Sequence, residues 1–108
     1  MISKKMGEID WNRSAKSIEQ LIRGLDPWPS AYAKLQGKTL KLWKAEAQKE
    51  NVPEGVPGEV VKVERDTFCI QTGDGILKIE EVQLEGKKRM DTAAFLRGFH
   101  LSQGERLD

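Results

Sequence analysis

Phe68-Cys69-Ile70-Gln71-Thr72-Gly73-Asp74-Gly75-Ile76-Leu77-Lys78-Ile79 reads as a strand, a tight reversal and a second strand. Residues 67–72 carry the β-branched and aromatic side chains that suit a pleated, half-buried surface. Gly73-Asp74-Gly75 supplies the turn, because glycine and aspartate accept the positive φ that tight hairpin reversals require. The returning strand spans 76–84, and a further one is expected over 59–64, which makes a β-meander.

Outward from the meander the pattern changes twice. Residues 49–58 contain Pro53, Gly55, Pro57 and Gly58 and read as a loop. Before it, Leu40 and Leu42 face one way and Lys41 and Trp43 the other, which is strand spacing. Earlier still, Ala15, Ile18, Leu21, Ile22 and Leu25 recur at helical steps. Asn12 or Ser14 can cap that helix, Gly24 suits a left-handed closing position, and Pro27 and Pro29 forbid its continuation. On the far side, Asp91 caps a short helix with Phe95 and Leu96 inward, Gly98 stops it, and 102–108 is a polar tail.

Short, strongly turned strands bury little as an open sheet, and rolling them up removes exposed edges. The expected architecture is mainly β: a five- to six-stranded, OB-fold-like Greek-key barrel with a leading helix and a short C-terminal helix. Periodicity by itself leaves another small α+β barrel open. A chain of 108 residues supports one core. Residues 1–11 read as a basic, extended lead-in and 12–108 as the single domain.

Composition narrows the function classes. The chain has 18 basic and 17 acidic residues, net +1, so any affinity for nucleic acid must come from local clustering. A single cysteine, Cys69, excludes an internal disulfide and fits a reducing, cytoplasmic setting. No metal-ligand spacing is present. Met1 to Gly7 lacks the apolar run of a signal peptide, and no stretch approaches the roughly 20 apolar residues that span a bilayer, so no membrane partner is expected.

No constellation for catalysis emerges. His100, the one histidine, has no carboxylate or nucleophile at a recognisable spacing. Cys69 lies in a strand without cations beside it in sequence and reads as a small packed residue. Gly86-Lys87-Lys88 superficially resembles a phosphate loop, but Glu81 stands where the first glycine belongs and Lys88 where the magnesium-binding hydroxyl belongs. Glu80 and Glu81 point to opposite faces of a strand and cannot pair, and Asp74 is expected to satisfy the donors of its own turn.

Binding RNA needs cations for phosphates and, for unpaired bases, an aromatic platform. Lys38, Lys41 and Lys44 ride on one strand, Lys87, Lys88 and Arg89 fill one turn, and Lys4 and Lys5 lie in the lead-in, while acids gather over 46–54. Solvated lysines explain the same pattern unless the fold brings the groups to one face. Trp43 shares a strand face with Lys41 and can either stack on RNA or pack against the leading helix. Trp11 and Trp28 read as anchors that fix chain direction.

Read in order, Ile9-Asp10-Trp11, Ile22-Arg23-Gly24-Leu25, Pro27-Trp28-Pro29-Ser30-Ala31, Leu40-Lys41-Leu42, Pro57-Gly58, Gly73-Asp74-Gly75, Gln83, Gly86-Lys87-Lys88, Met90 and Phe95-Leu96-Arg97-Gly98 cover nearly the whole chain. Together they resemble the formyltransferase C-terminal domain family, as it stands in bacterial tRNA-formylating enzymes. The resemblance implies an oligonucleotide-binding barrel behind a lysine-bearing linker, with a basic face along the inside of the L-shaped initiator methionyl-tRNA, near its acceptor and D stems. It also implies a partner, an N-terminal α/β catalytic domain with an asparagine, a histidine, an aspartate and a folate-contacting loop. No position here matches these, so the chain is expected to be a monomeric detached domain or a fragment that binds no cofactor. The donor implied for the parent enzyme is 10-formyltetrahydrofolate. Lys5 and Met6 depart from the acidic residues expected after the linker's first lysine. A second function class stays open: the barrel as an accessory part of another formyl-folate enzyme, of the sugar-nucleotide formyltransferase or formyltetrahydrofolate hydrolase or dehydrogenase type, with no RNA.

Overall fold

The central meander forms as its sequence dictates. In the computed structural model, which describes residues 7–26, 30–51 and 55–107, the chain runs α1 (Ala15–Gly24), β1 (Ala31–Leu35), β2 (Lys38–Gln48), β3 (Val60–Val63), β4 (Phe68–Gln71), β5 (Ile76–Leu84), β6 (Met90–Asp91) and α2 (Thr92–Gly98). The strands make one antiparallel sheet in the order β1-β2-β5-β4-β3, with β6 also on β5. β3, β4 and β5 are consecutive neighbours and β5 returns beside β2, which is a Greek-key connection. The mainly β class, the strand number and the two flanking helices are as the sequence leads one to expect.

β1 is an addition to that expectation. Ala31, Ala33 and Leu35 alternate inward and are fully buried, but two alanines give a weak apolar signal. Leu35 pairs with Lys38 across Gln36 and Gly37, whose φ values of 52° and 80° are those of a tight hairpin turn. β2 is longer than the Leu40–Trp43 alternation suggests, because it serves two partners: β1 along its first half and β5 nearly throughout.

The core is shared by one face of α1 and the inner side of the sheet. Ala15, Ile18 and Ile22 meet Leu40, Leu42, Phe68, Ile70, Leu77, Ile79 and Val82. Ser14 caps α1 by accepting the Ser17 N–H at 3.1 Å. Gly24 ends α1 without a positive φ; the chain leaves through Leu25 at φ −99°, with the Leu25 N–H bonded to Leu21 O. The expected left-handed closing glycine is therefore not used. β4 is covered on both faces: Phe68 and Ile70 enter the main core, and Cys69 joins Val61 and Ile76 in a smaller cluster. Burial pushes the Cys69 thiol above its ordinary pKa, which fits a packed and unreactive residue.

Both chain ends contribute to the core. Within the 1–11 stretch, Ile9 and Trp11 are buried and the Ile9 N–H donates to Tyr32 O at 3.0 Å. The supposed polar tail folds back beside β3: the Val60 N–H donates to Glu105 O, the Leu107 N–H to Gly58 O, and Leu101 and Leu107 are buried. The only large apolar residue of 102–108 is Leu107, and with Leu101 just before it the signal is too sparse to show a period. Trp28, expected as an anchor, lies outside the described residues. Among the described residues no helix is long and apolar enough to cross a membrane.

Candidate nucleic-acid interface

The antiparallel pairing of β2 with β5 brings the two lysine groups of the sequence together. Lys41 stands opposite Gln83, and Leu40 opposite Leu84, so the turn that follows β5 lies against the start of β2. Three bonds fix it there: Glu85 N–H to Thr39 O at 2.8 Å, Thr39 N–H to a Glu85 carboxylate oxygen at 3.0 Å, and Lys87 N–H to Leu84 O at 2.9 Å. Gly86 takes φ +79° at the apex. Lys38 and Lys87 consequently border one shallow hollow with Leu84, Met90, Phe95 and Phe99. Lys41 borders the next, with Thr39, Gln83 and Gly86. Lys88 is exposed on the same turn.

Trp43 shares a face with Lys41 by strand alternation, and the β2–β5 pairing is irregular there: Leu42 pairs with Val82 and Lys44 with Glu81, leaving Trp43 unpaired at a bulge. Its indole is half-buried and lies outside the core cluster. The Trp43 Nε1–H donates to Gln83 Oε1 at 3.2 Å, and Gln83 Nε2 donates to Lys87 O at 3.0 Å. One glutamine thus ties the indole to the basic turn. The Arg89 guanidinium lies 4.5 Å from the Trp43 ring centre, and Lys41 Nζ 5.9 Å. Arg89 Nε is also bonded and ion-paired to Glu81.

The expected cations therefore divide. Lys38, Lys41, Lys87, Lys88 and Arg89 share one edge. Lys44 faces the other way, lining a groove against α1 with Glu19, Arg23, Glu46 and Glu80, a groove that Trp43 also borders together with Ile22 of α1. Lys4 and Lys5 lie outside the described residues. Two acids temper the patch. Glu81 holds Arg89, and Glu85 sits by Thr39, whose backbone N–H, followed by the nearby charge of Lys34 and Lys38, keeps the carboxylate below its ordinary pKa. Sequence reading missed the parts played by Gln83, Glu81 and Glu85, which depend on cross-strand register and have no local signature.

The catalytic candidates stay dispersed. His100 Nε2 and Ser102 Oγ are 3.1 Å apart, but both residues are exposed, and Glu105 accepts from Ser102 N–H and Gln36 Nε2 rather than orienting the imidazole. Asp74 does not hold its turn by its carboxylate. Thr72 Oγ1 donates to Gly75 O and accepts from Asp74 N–H, and Asn51 Oδ1 accepts from Gly75 N–H.

Comparison with known proteins gives the family. The chain is 51% identical over 104 residues to a methionyl-tRNA formyltransferase of Agathobacter rectalis, covering 96% of this chain and 33% of that one. A methionyl-tRNA formyltransferase of Geobacter sulfurreducens is 44% identical over 107 residues, covering 99% and 33%. The chain thus spans about a third of the length of the curated relatives it matches. Among solved structures it superposes on HypX from Aquifex aeolicus in complex with tetrahydrofolic acid with a TM-score of 0.72 and 26% identity, over 88% of this chain and 17% of HypX. The family model described as formyl transferase, C-terminal domain, matches residues 1–100, and the chain belongs to that family.

Proposed function

We propose that this chain is the RNA-holding part of a methionyl-tRNA formyltransferase. It grips initiator methionyl-tRNA in the cytoplasm for an N-terminal domain that transfers the formyl group from 10-formyltetrahydrofolate during translation initiation. The observation that carries the reading is the convergence of Lys38, Lys41, Lys87, Lys88 and Arg89 on one edge beside a half-buried tryptophan, in a chain whose net charge is only +1. Lysine is a flexible point charge suited to phosphates, and A-form RNA hides its base edges in a deep major groove, so these lysines grip the backbone of paired stems. The accessory reading, without RNA, draws on the likeness to HypX at 26% identity, against 51% for the formyltransferase relative.

Titration with initiator and elongator tRNA at two salt concentrations tests the proposal. Replacing Lys41, Lys87 and Lys88 by alanine weakens binding of all tRNAs about equally and flattens the log-log salt slope by roughly 0.7–0.9 per phosphate contact removed. A folded triple variant with the parent's affinity and slope refutes the basic-edge reading.

A further inference from the structure

Arg89 is the one cation of the described edge whose orientation is fixed on two sides. Its guanidinium lies 4.5 Å from the Trp43 ring centre, and its Nε edge is held by Glu81. Trp43 is itself held by the bond from its Nε1 to Gln83, whose amide also fastens the Lys87 carbonyl. Despite these ties, the Arg89 side chain retains 47% of its exposure. A guanidinium at this distance over an indole, and still half exposed, can offer surface to a ligand, and guanidinium planes are surfaces on which unpaired bases stack. Lys88, next in the chain, is exposed.

We infer that Trp43, Arg89, Glu81 and Gln83 form a prebuilt stacking platform for one unpaired nucleobase, with Arg89 as the surface that touches the base and Trp43 as the layer beneath it. The inference rests on the RNA-binding reading and adds a base-contacting subsite to an edge otherwise described by phosphate contacts. Trp43 then acts through Arg89, and Glu81 and Gln83 are positioning residues. A base bound there fits a single-stranded end or a loop, because a paired base has both faces occupied by its neighbours.

The probes are a single-stranded RNA adenosine hexamer and a hexamer of equal phosphate number whose residues are abasic, each titrated by fluorescence anisotropy at one salt concentration. The parent protein is expected to prefer the base-bearing probe by about tenfold, the scale of one stacked base. Arg89→Lys keeps the charge but not the plane, so the ratio of its affinities for the base-bearing and abasic probes falls well below the parent's. Glu81→Gln is the sharper case. It removes a negative charge, so simple electrostatics gives tighter binding of both probes, whereas the platform gives a smaller ratio between them. Equal binding of the two probes by the parent overturns the platform and leaves the phosphate-gripping edge standing. A full preference retained in both folded variants overturns it as well. If the parent binds neither probe while still binding tRNA, the platform falls and the phosphate-gripping edge stands; if it binds no tRNA either, both fall together.

Discussion

Gly73 and Gly75 show how much one residue decides here. A Cβ on Gly73 would overlap the Asn12 carbonyl oxygen, and one on Gly75 would come 2.5 Å from Gln48 O, at φ +89°. The β4–β5 turn is therefore pressed between the chain entering α1 and the end of β2. It is bonded there, since the Gly73 N–H donates to Trp11 O and the Ala15 N–H to Asp74 O. Gly75→Ala should destabilise by more than about 1 kcal/mol, because the backbone conformation itself is unsuitable for a side chain. Gly24→Ala is the control: nothing lies within 4 Å of its Cβ position and its φ is not positive, so it should stabilise by about 0.4–1 kcal/mol. Urea midpoints at constant slope read both changes. The sequence shows the need for glycine in a tight turn, and the two close approaches come from the fold.

At the scale of elements, the turn between β5 and β6 is held by a carboxylate rather than by its cations. The Thr39 N–H donated to Glu85, with Lys34 and Lys38 close by, places the folded-state pKa of Glu85 below its ordinary 4.5. A depressed acid contributes stability that is present above its unfolded pKa and lost as pH falls through the folded one. The contribution should be constant from neutrality down to about pH 5 and disappear below 4.5, the ordinary value. Glu85→Gln should flatten this acid limb in denaturation measured from pH 7 to 3. Glu105, also lowered, chiefly by the Ser102 N–H and then by Gln36, keeps part of it. An unchanged acid limb in a Glu85→Gln, Glu105→Gln variant would show that neither bond matters to folding. The acid was visible in the sequence as one letter beside a lysine run, but its partner Thr39 is 46 residues away.

For the whole molecule, the core draws on the segments before α1 and after α2. Leu107 is 3% exposed and Leu101 7% exposed, and the backbone between them bonds to Val60 through both Glu105 and Gly104. Leu107→Ala should cost about 2–5 kcal/mol, the range for a large-to-small change at a buried leucine. Thermal melting of that variant beside Gln103→Ala, a control at an exposed position of the same segment, checks it. Equal melting temperatures would mean that this segment only lies against the sheet. The same loss should leave the cationic edge intact in any fraction that stays folded, because β2 and β5 meet by their own ladder.

Local chemistry determined the parts of this protein that short-range rules govern. The helical period of α1, the turn glycines, the extent of β5 and the Asp91 cap of α2 were legible because each rests on residues adjacent in sequence or one turn apart. The lysine groups were equally plain as letters. The tertiary structure alone decided that β1 joins β2, that the segments before α1 and after α2 enter the core, and that Lys38 borders one hollow with Lys87 and Lys41 the next, while Lys44 faces α1. It also placed Arg89 over Trp43, through a one-residue bulge in β2. The physical reason is register: a shift of one residue turns every following side chain to the other face, and that choice is made by the packing of distant strands.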